Sequence, residues 1–285
     1  MSFPTFDPTY VRAQATRMRI DIIEMLAAAG SGHPGGSLSA ADIVATLYFG
    51  GVLRYDPKKL DDPKRDRFIL SKGHAGPVQY AALATAGIIN RTEYQGLRKL
   101  GHMLQGHPDA SKTPGVEVST GSLGQGLSIS CGLAQALRAS GGDQKVYCLL
   151  GDGELQEGQV WEAAMYAAHY KIDNLVAIVD YNRLQIDGEC ANVMSLGELG
   201  MKWYSFGWDV VEVNGHDVGI LHSALTSAST PNKPKVIIAH TQKGHGVSFM
   251  ANKADWHGAA PSADQAQSAC DELKTCPAYR EQQLS

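Results

Sequence analysis

Asp152 and Asn182 are the residues whose types and spacing point most directly to chemistry. Asp152 lies in a Gly-Asp-Gly turn after an apolar run at 146–150, and Asn182 follows a second apolar run at 175–179. A carboxylate and an amide oxygen suit Mg²⁺, which prefers oxygen ligands and usually keeps its substrate's phosphate oxygens in its shell. A helix start behind the glycines supplies N–H groups for an anion. A plain glycine turn with an N-capping acid explains the tripeptide alone, but not the spaced asparagine.

The apolar runs predict the elements that bring these two side chains together. Val146 to Leu150 suits a strand buried on both faces, 159–170 has apolar residues at helical spacing, and Leu175 to Val179 suits a second strand. Such a strand–helix–strand unit has a parallel, right-handed crossover, so both strands end at the same edge of the sheet. We therefore expect Asp152 and Asn182 to lie side by side.

Strands and helices alternate along the rest of the chain, which predicts a doubly wound, mostly parallel α/β sheet with helices on both faces. One domain is expected over 1–260, followed at 261–285 by a polar tail that forms a surface helix or is partly disordered. Ser39 and Asp42 resemble a capping box, and 31–36 reads as a loop. Further strands are predicted at 67–70, 208–213 and 235–240, and further helices at 11–29, 39–49, 76–86, 92–100, 126–140 and 218–228.

Composition excludes several classes of function. The chain is 44% apolar with a net charge of −4, so a sizeable core is expected and a general nucleic-acid-binding surface is not. The five cysteines form no Cys-x-x-Cys pair, as in reduced cytoplasmic proteins. The sequence has no apolar signal core and no apolar run near the roughly 18 residues of a membrane span. A soluble, cytoplasmic protein is expected.

The Gly-Asp-Gly turn, a gap of 28 residues and then Asn is the pattern of thiamine-diphosphate enzymes. The wording GDGELQEGQVWEA followed by HYKIDNL resembles transketolase, and most closely the N-terminal subunit of split, two-chain transketolases. The resemblance implies a thiamine-diphosphate-binding fold in which Asp152, Asn182 and the carbonyl of Leu184 hold Mg²⁺, with Ca²⁺ or Mn²⁺ as substitutes. It also implies that Gly153 and Glu154 bind the diphosphate.

Four of the ten histidines lie in strings that match transketolase active-site loops in the family's order. His33 lies in SGHPGGS, His74 in SKGHA, His107 in QGHPD and His257 in WHGAAPS. The resemblance places His74 and His257 near the diphosphate and thiazolium, and His33 and His107 at the donor's hydroxyls and reacting carbonyl. Histidine titrates near neutrality and suits the proton transfers of ketol transfer from a ketose to an aldose. The other six histidines are taken as structural or solvated.

The resemblance assigns further residues to the cofactor. Gly121, Ser122 and Leu123 match the stretch that contacts the aminopyrimidine, which is also a plain glycine-rich helix start. Ile186 is expected to add an apolar wall near the thiazolium.

Charged residues receive two kinds of role by resemblance. Glu157 and Glu162 match a carboxylate network that crosses the dimer interface and links two cofactors. Lys72 and Lys243 match lysines lining the entrance to the site, and Lys243 is assigned to the cofactor. A plain surface-charge interpretation of both lysines stays open.

The chain ends at Ser285, before the pyrimidine-binding and C-terminal domains of full-length transketolase. The pyrimidine-binding domain carries the glutamate that activates the cofactor. We therefore expect a second polypeptide of about 300 residues, giving an α2β2 assembly with sites at the interfaces.

Alternatives stay open at this point. They are the α-subunit of a 2-oxo-acid dehydrogenase, a 1-deoxyxylulose-phosphate synthase and a non-catalytic cofactor-binding subunit. Sugar candidates include the pentose phosphates, apulose phosphate and sulfo-sugars. Gly35 and Gly36 replace bulkier residues found in some family members, with an effect that the sequence does not reveal.

Overall fold

The computed structural model describes residues 5–284. Its main sheet has five strands in the order β1-β2-β3-β7-β6, and every neighbouring pair in that sheet is parallel. A two-stranded antiparallel hairpin, β4–β5, lies outside it. The strands are β1 (Arg67–Leu70), β2 (Val146–Gly151), β3 (Leu175–Tyr181), β4 (Leu184–Gln185), β5 (Gly188–Glu189), β6 (Asp209–Asn214) and β7 (Lys235–His240).

Helices cover both faces of the sheet, as the alternating pattern predicts. Four 3-10 turns accompany them, at Gly73–Ala75, Arg91–Gly96, Gly153–Gln156 and Ala254–His257. The helices are α1 (Pro8–Ala29), α2 (Pro34–Ser39), α3 (Ala41–Phe49), α4 (Gly76–Thr85), α5 (Gln125–Ala139), α6 (Gly158–His169), α7 (Cys190–Val193), α8 (Leu199–Ser205), α9 (Val218–Thr226), α10 (Ala263–Leu273) and α11 (Pro277–Leu284).

The core is divided by the sheet because successive strand residues point to opposite faces. In β2, Tyr147 and Leu149 join the cluster of α1, α3 and α4, whereas Val146, Cys148 and Leu150 pack under α5 and α6. Strands buried on both faces are continuous in their apolar character, which is why the sequence reveals them. The prediction of a doubly wound, parallel α/β fold is confirmed.

The helix after α1 was not expected. Gly30, with φ 64°, ends α1 as predicted and donates its N–H to the carbonyls of Leu26 and Ala27. The loop prediction for 31–36 is wrong from Pro34 onward, because Pro34 starts α2. Proline suits the first helical position, since its fixed φ is helical and its missing N–H would have no partner there.

The capping-box prediction for Ser39 and Asp42 is also wrong. Ala40 precedes α3 and makes no side-chain cap. The Ser39 hydroxyl donates instead to Asp180 at 2.5 Å, and Asp42 accepts two hydrogen bonds from Arg19. Both side chains are buried, so they satisfy other buried polar groups rather than the helix end.

A full helix at 92–100 was predicted, but the structure has a single 3-10 segment there. It begins after Asn90, whose side chain accepts from the Thr92 N–H at 2.9 Å, and it ends at Gly96. Arg98 then adopts a left-handed conformation with φ 63°, which no right-handed helix can continue.

The polar tail forms α10 and α11. Ser262 and Gln265 make a capping box at the start of α10, and Ala269, Leu273 and Tyr279 are buried in the α1 side of the core. A domain boundary near residue 260 stays a prediction from composition. Within 5–284, no helix combines the length and apolar content that a membrane crossing requires.

Candidate active site

Asp152 and Asn182 lie at the carboxyl edge of the sheet because β2 and β3 run parallel, with Gly151 paired to Asp180. The Asp152 carboxylate accepts hydrogen bonds from the Gly153 N–H, at 2.8 Å, and from the Arg183 N–H. The Asn182 side-chain oxygen accepts from the Leu184 N–H at 3.1 Å. The turn after β2 is thus tied directly to the residue that follows Asn182, which places carboxylate and amide oxygens together.

Burial and the nearby Asp180 carboxylate raise the pKa of Asp152 to about 6. These neighbours make the ionised carboxylate less favourable than in a free aspartate, and a bound cation would compensate its charge. Such a group is therefore prepared for a positively charged ligand.

Asp180 and Lys72 form a buried ion pair beneath this edge. Asp180 is fully buried, Lys72 is 1% exposed, and the Lys72 ammonium donates to the Asp180 carboxylate and to the Gly36 carbonyl. Burial alone would raise the pKa of the Asp180 carboxyl, but Lys72 and neighbouring hydroxyl donors hold it below its usual value. The surface-charge interpretation of Lys72 is wrong, because its charge lies inside the domain.

Glu154 joins three loops. Its carboxylate accepts from the Ser71 hydroxyl, from the Gly124 N–H at 2.9 Å and from the Gly151 N–H at 2.9 Å. The side chain is 2% exposed. Glu154 therefore fixes the loops around the site through contacts within the chain, and its assignment to the diphosphate stays a prediction.

His33, His74, His107 and His257 come together above the same edge. The ring centroids of His74 and His257 are 5.2 Å apart, those of His33 and His74 5.4 Å, and those of His33 and His257 5.6 Å. His107 lies 6.4 Å from His33. Each histidine comes from a different part of the chain. His33 directly precedes α2 and His74 lies in the turn after β1, whereas His107 lies in the loop before α5 and His257 in the last 3-10 turn.

The four histidines are neutral at pH 7. Burial, followed by nearby cations, lowers the pKa of His33 to about 4, of His74 to about 2 and of His257 to about 3. Burial and Arg98 also lower the pKa of His107. A neutral imidazole has one donor and one acceptor nitrogen. An anion bound here would raise these pKa values, because opposite charge favours the imidazolium.

Lys243 links the histidines to the cation edge. Its ammonium donates to the Leu184 carbonyl at 2.9 Å and lies 2.7 Å from His257 Nδ1. Burial, and then Lys72, lower the pKa of Lys243 to about 8. Lys243 is 1% exposed, so the surface-charge interpretation is wrong for this lysine too.

Gly35 and Gly36 allow these groups to approach. A Cβ on Gly35 would lie 2.8 Å from the Trp256 carbonyl oxygen and 2.9 Å from Lys243 Cγ, so even alanine does not fit without movement. A Cβ on Gly36 would lie 3.4 Å from Lys72 Nζ and 3.7 Å from His74 Nε2. The glycine pair therefore lets α2 pack against both lysines.

His216 and His245 belong to a separate network behind Lys243. The His216 ring donates to Asp42 at 2.8 Å, accepts from the Gln242 N–H at 2.8 Å and stacks on His245 at 3.5 Å. Asp42 is also held by the Arg19 guanidinium at 2.6 Å, which would repel a metal ion. This network positions the backbone next to Lys243 and does not form a metal centre.

The sequence matches the family described as "Transketolase, thiamine diphosphate binding domain" over residues 11–279. The chain belongs to this family. A 43% identical relative, over 261 residues, is one subunit of the apulose-4-phosphate transketolase from Phocaeicola vulgatus; the match covers 91% of this chain and 92% of the relative. A 6-deoxy-6-sulfo-D-fructose transketolase subunit from Clostridium sp. (strain MSTE9) is 40% identical, with 92% and 95% covered. The predicted transketolase resemblance is confirmed.

Solved transketolases share the fold. The structure of the Campylobacter jejuni transketolase superposes with a TM-score of 0.87 at 33% identity. The alignment covers 92% of this chain but only 42% of that one. The chain thus spans nearly the full length of the relatives that are single subunits, and about two fifths of this longer transketolase.

The residues that the transketolase resemblance assigns to the aminopyrimidine and thiazolium rings lie at the margins of the histidine cluster. Gly121, with φ 146°, packs under His107, since a Cβ there would lie 3.1 Å from that ring. Ser122 is exposed and Leu123 half-buried. Ile186 is 69% exposed at the tip of the β4–β5 hairpin, where it is free to meet a bound molecule. Their cofactor contacts stay predictions.

Glu157 and Glu162 lie on the solvent side of α6. Both are exposed, and Glu162 borders a shallow depression of about 330 Å³ with Ser128, Gly132 and Tyr166. Neither belongs to the histidine cluster. Their role in a carboxylate network across a dimer interface, as the transketolase resemblance implies, stays a prediction.

Sequence reasoning missed Asp180. The sequence does contain a signal for Asp180. An acid directly after the apolar run LVAIV must be paired with a polar or charged partner when the strand is buried. Asp180 accepts from Ser39, Thr241 and the Asn182 amide, and so turns the Asn182 oxygen toward the site.

His74→Gln is expected to flatten the pH dependence of stability. The unfolded histidine takes up a proton near pH 6.5, whereas folded His74, facing Lys72, Lys243, His33 and His257, resists protonation until about pH 2. Stability of the wild type therefore falls as the pH drops below about 6.5, by about 1.4 kcal/mol per pH unit for this group. Urea unfolding across this range measures both slopes. The exposed His169→Gln variant is the control, and equal slopes for His74→Gln and wild type would refute the assignment.

Proposed function

We propose that this chain is the thiamine-diphosphate-binding subunit of a two-chain transketolase, transferring a two-carbon ketol unit from a ketose to an aldose. One observation carries the proposal. Four neutral histidines and the Lys243 ammonium converge on the edge formed by Asp152 and Asn182. This arrangement suits a reaction that moves protons among sugar hydroxyls next to a bound phosphate.

The residues present fit Mg²⁺ and a diphosphate. Asp152, Asn182 and the Leu184 carbonyl offer oxygen ligands of the kind that Mg²⁺ accepts. The Leu184 carbonyl already accepts from an ammonium group, so it faces a position that favours positive charge. His33 Nδ1 and Gln185 Nε2 are buried without a hydrogen-bond partner, which suits a missing polar ligand. Ca²⁺ or Mn²⁺ would occupy the same ligands.

When bound, the thiazolium ring supplies the electron sink that ketol transfer requires. The chain's own residues bind, orient and exchange protons. Lys243, His74 and His257 hold the negatively charged end, with Asp180 fixing the Asn182 amide. His33 and His107 provide donor and acceptor nitrogens for the sugar's hydroxyls and its carbonyl oxygen.

The partner is proposed to be a chain of about 300 residues carrying the two remaining transketolase domains, in an α2β2 assembly. Relatives of similar length that are named as single subunits of a transketolase support the existence of a partner. The ketose is proposed to be a phosphorylated or sulfonated sugar of the kind named for those relatives, or a pentose phosphate. Reduced, mostly buried cysteines support a cytoplasmic location.

Reconstitution tests the proposal. We expect ketol transfer from the chain co-expressed with the product of the adjacent open reading frame, supplied with thiamine diphosphate and Mg²⁺, and none from this chain alone. The assay measures the new ketose that forms from xylulose 5-phosphate as donor and ribose 5-phosphate as acceptor. It is then repeated with apulose 4-phosphate and with sulfofructose as donors. A His33→Ala complex is the negative control. Transfer by the isolated chain would disprove the two-chain proposal, and a complex inactive on all three donors would disprove the activity.

A further inference from the structure

Three hydrogen bonds hold the backbone on the two sides of Lys243. The Lys243 carbonyl accepts from the Asn252 N–H at 2.9 Å, and the Gly244 N–H donates to a carbonyl oxygen of α2 at 3.0 Å. The N–H of Gln242, directly before Lys243, donates to His216 Nε2 at 2.8 Å. This last hydrogen bond ends on a side chain, so a substitution outside the Lys243 loop can remove it.

The partners of His216 determine which of its ring nitrogens carries the proton. The Asp42 carboxylate lies 2.8 Å from Nδ1 and can only accept, so Nδ1 donates and Nε2 is left to accept from the Gln242 N–H. Arg19 holds both oxygens of Asp42, at 2.6 and 3.2 Å, and both side chains are buried. Burial opposes ionisation of Asp42, but Arg19 and His216 hold the pKa of this carboxyl below its usual value.

The His216 ring is fixed in orientation as well. It stacks on the His245 ring with a centroid distance of 3.5 Å and an angle of 11° between the planes. Its own N–H donates to the Asn214 side chain at 3.0 Å, and the Gly215 N–H donates to the His240 carbonyl at 2.9 Å, which joins the ends of β6 and β7. A rigid chain of contacts therefore runs from α1 and α3 to the peptide before Lys243.

The position of the Lys243 ammonium depends on this peptide. The ammonium is buried at 2.9 Å from the Leu184 carbonyl and 2.7 Å from His257 Nδ1. A lysine side chain is a flexible four-carbon stem, so its backbone must be held if the charge is to stay at one point. A misplacement of about 1 Å at a binding site can cost about 100-fold in function.

We propose that His216 is a positioning residue that holds Lys243 where the cofactor's diphosphate binds. The inference rests on the proposed function, because it needs a diphosphate at Lys243. A carboxylate–histidine pair commonly stands behind a metal ion, with the second ring nitrogen as the ligand. Here the second nitrogen binds a backbone N–H, so the same pair fixes a loop.

The test measures thiamine diphosphate binding to the reconstituted two-chain enzyme by calorimetric titration with Mg²⁺ present. His216→Phe keeps a ring that can stack on His245 but removes both nitrogens, whereas His216→Gln restores an acceptor for the Gln242 N–H. We expect His216→Phe to raise Kd about 10–100-fold, as for other outer-shell partners, with an unchanged number of sites. His216→Gln should be intermediate, and the exposed His169→Gln should change Kd by less than about twofold.

Two further measurements separate positioning from a general loss of structure. Amide hydrogen exchange of the peptide that contains Gln242 should be faster in His216→Phe than in the wild type, without added ligand. Combining His216→Phe with Lys243→Met should weaken binding no more than Lys243→Met alone, because both act through one ammonium group. A fall in the number of sites at unchanged Kd would indicate partial unfolding and overturn the proposal.

A Kd for His216→Phe within about twofold of the wild type would also overturn it, as would additive losses in the double variant. If the wild-type complex binds no thiamine diphosphate, the proposed function fails, and pyrophosphate with Mg²⁺ replaces the cofactor in the same titration. Pyrophosphate binding that His216→Phe weakens would then support the positioning role alone. Absence of pyrophosphate binding by the wild type would overturn this inference too.

Discussion

Lys72→Met is expected to lower the free energy of unfolding by about 3–5 kcal/mol, because it leaves the Asp180 carboxylate buried and unpaired. Asp180 is completely shielded from solvent, and Lys72 is the only cation that forms a salt bridge with it in the part of the chain that the structure describes. Removing one partner of such a pair costs far more than the pair contributes relative to two neutral groups. Urea unfolding of the cofactor-free chain measures the change.

Two further variants separate lost charge pairing from lost packing. The double variant Lys72→Met with Asp180→Asn should recover a large part of the stability, since no buried charge remains. The exposed Lys58→Met should change stability by less than about 0.5 kcal/mol. If Lys72→Met were as stable as Lys58→Met, the buried pair would have no structural role.

Asp152→Ala is expected to abolish Mg²⁺-dependent binding of thiamine diphosphate by the reconstituted enzyme. Asp152 is the one formally charged group among the three proposed ligands, so its loss should exceed the roughly 10–100-fold effect of losing an outer-shell partner. Calorimetric titration with Mg²⁺ and thiamine diphosphate measures the affinity without relying on turnover. Retained affinity within tenfold of the wild type would remove Asp152 from the cation site.

Asp173→Ala is the matched control for this experiment. Asp173 precedes β3 and therefore lies at the opposite edge of the same sheet. Its substitution removes an equal charge at a position away from the site. The pKa of Asp152, about 6, adds a pH test. Proton competition should weaken cation binding by the wild type as the pH falls below about 6, while affinity should level off above it.

The sequence predicts the frame of the site well because that frame depends on local apolar pattern. Runs such as Val146 to Leu150 are buried on both faces, so composition alone marks them, and parallel pairing then places Asp152 beside Asn182. Pro34 misled the prediction because proline both breaks a preceding helix and starts a new one. In the structure Pro34 starts a helix, α2, because neighbouring parts of the chain pack around that short segment.

Polar partners across long separations could not be predicted from sequence. Lys72 and Asp180 are 108 positions apart, and Ser39 and Asp180 are 141 apart. The sequence alone does not distinguish a serine or lysine on the surface from one in a buried pair.

The helices at the two ends of the chain have a consequence for the order of folding. The α10 and α11 helices complete the packing around α1, and His257 enters the site just before them. Contacts between such distant segments form slowly because a long loop must close first. A nascent chain leaving the ribosome would therefore carry α1 partly uncovered until α10 and α11 emerge, and it would acquire the capacity to hold its cofactor only after His257 has been added.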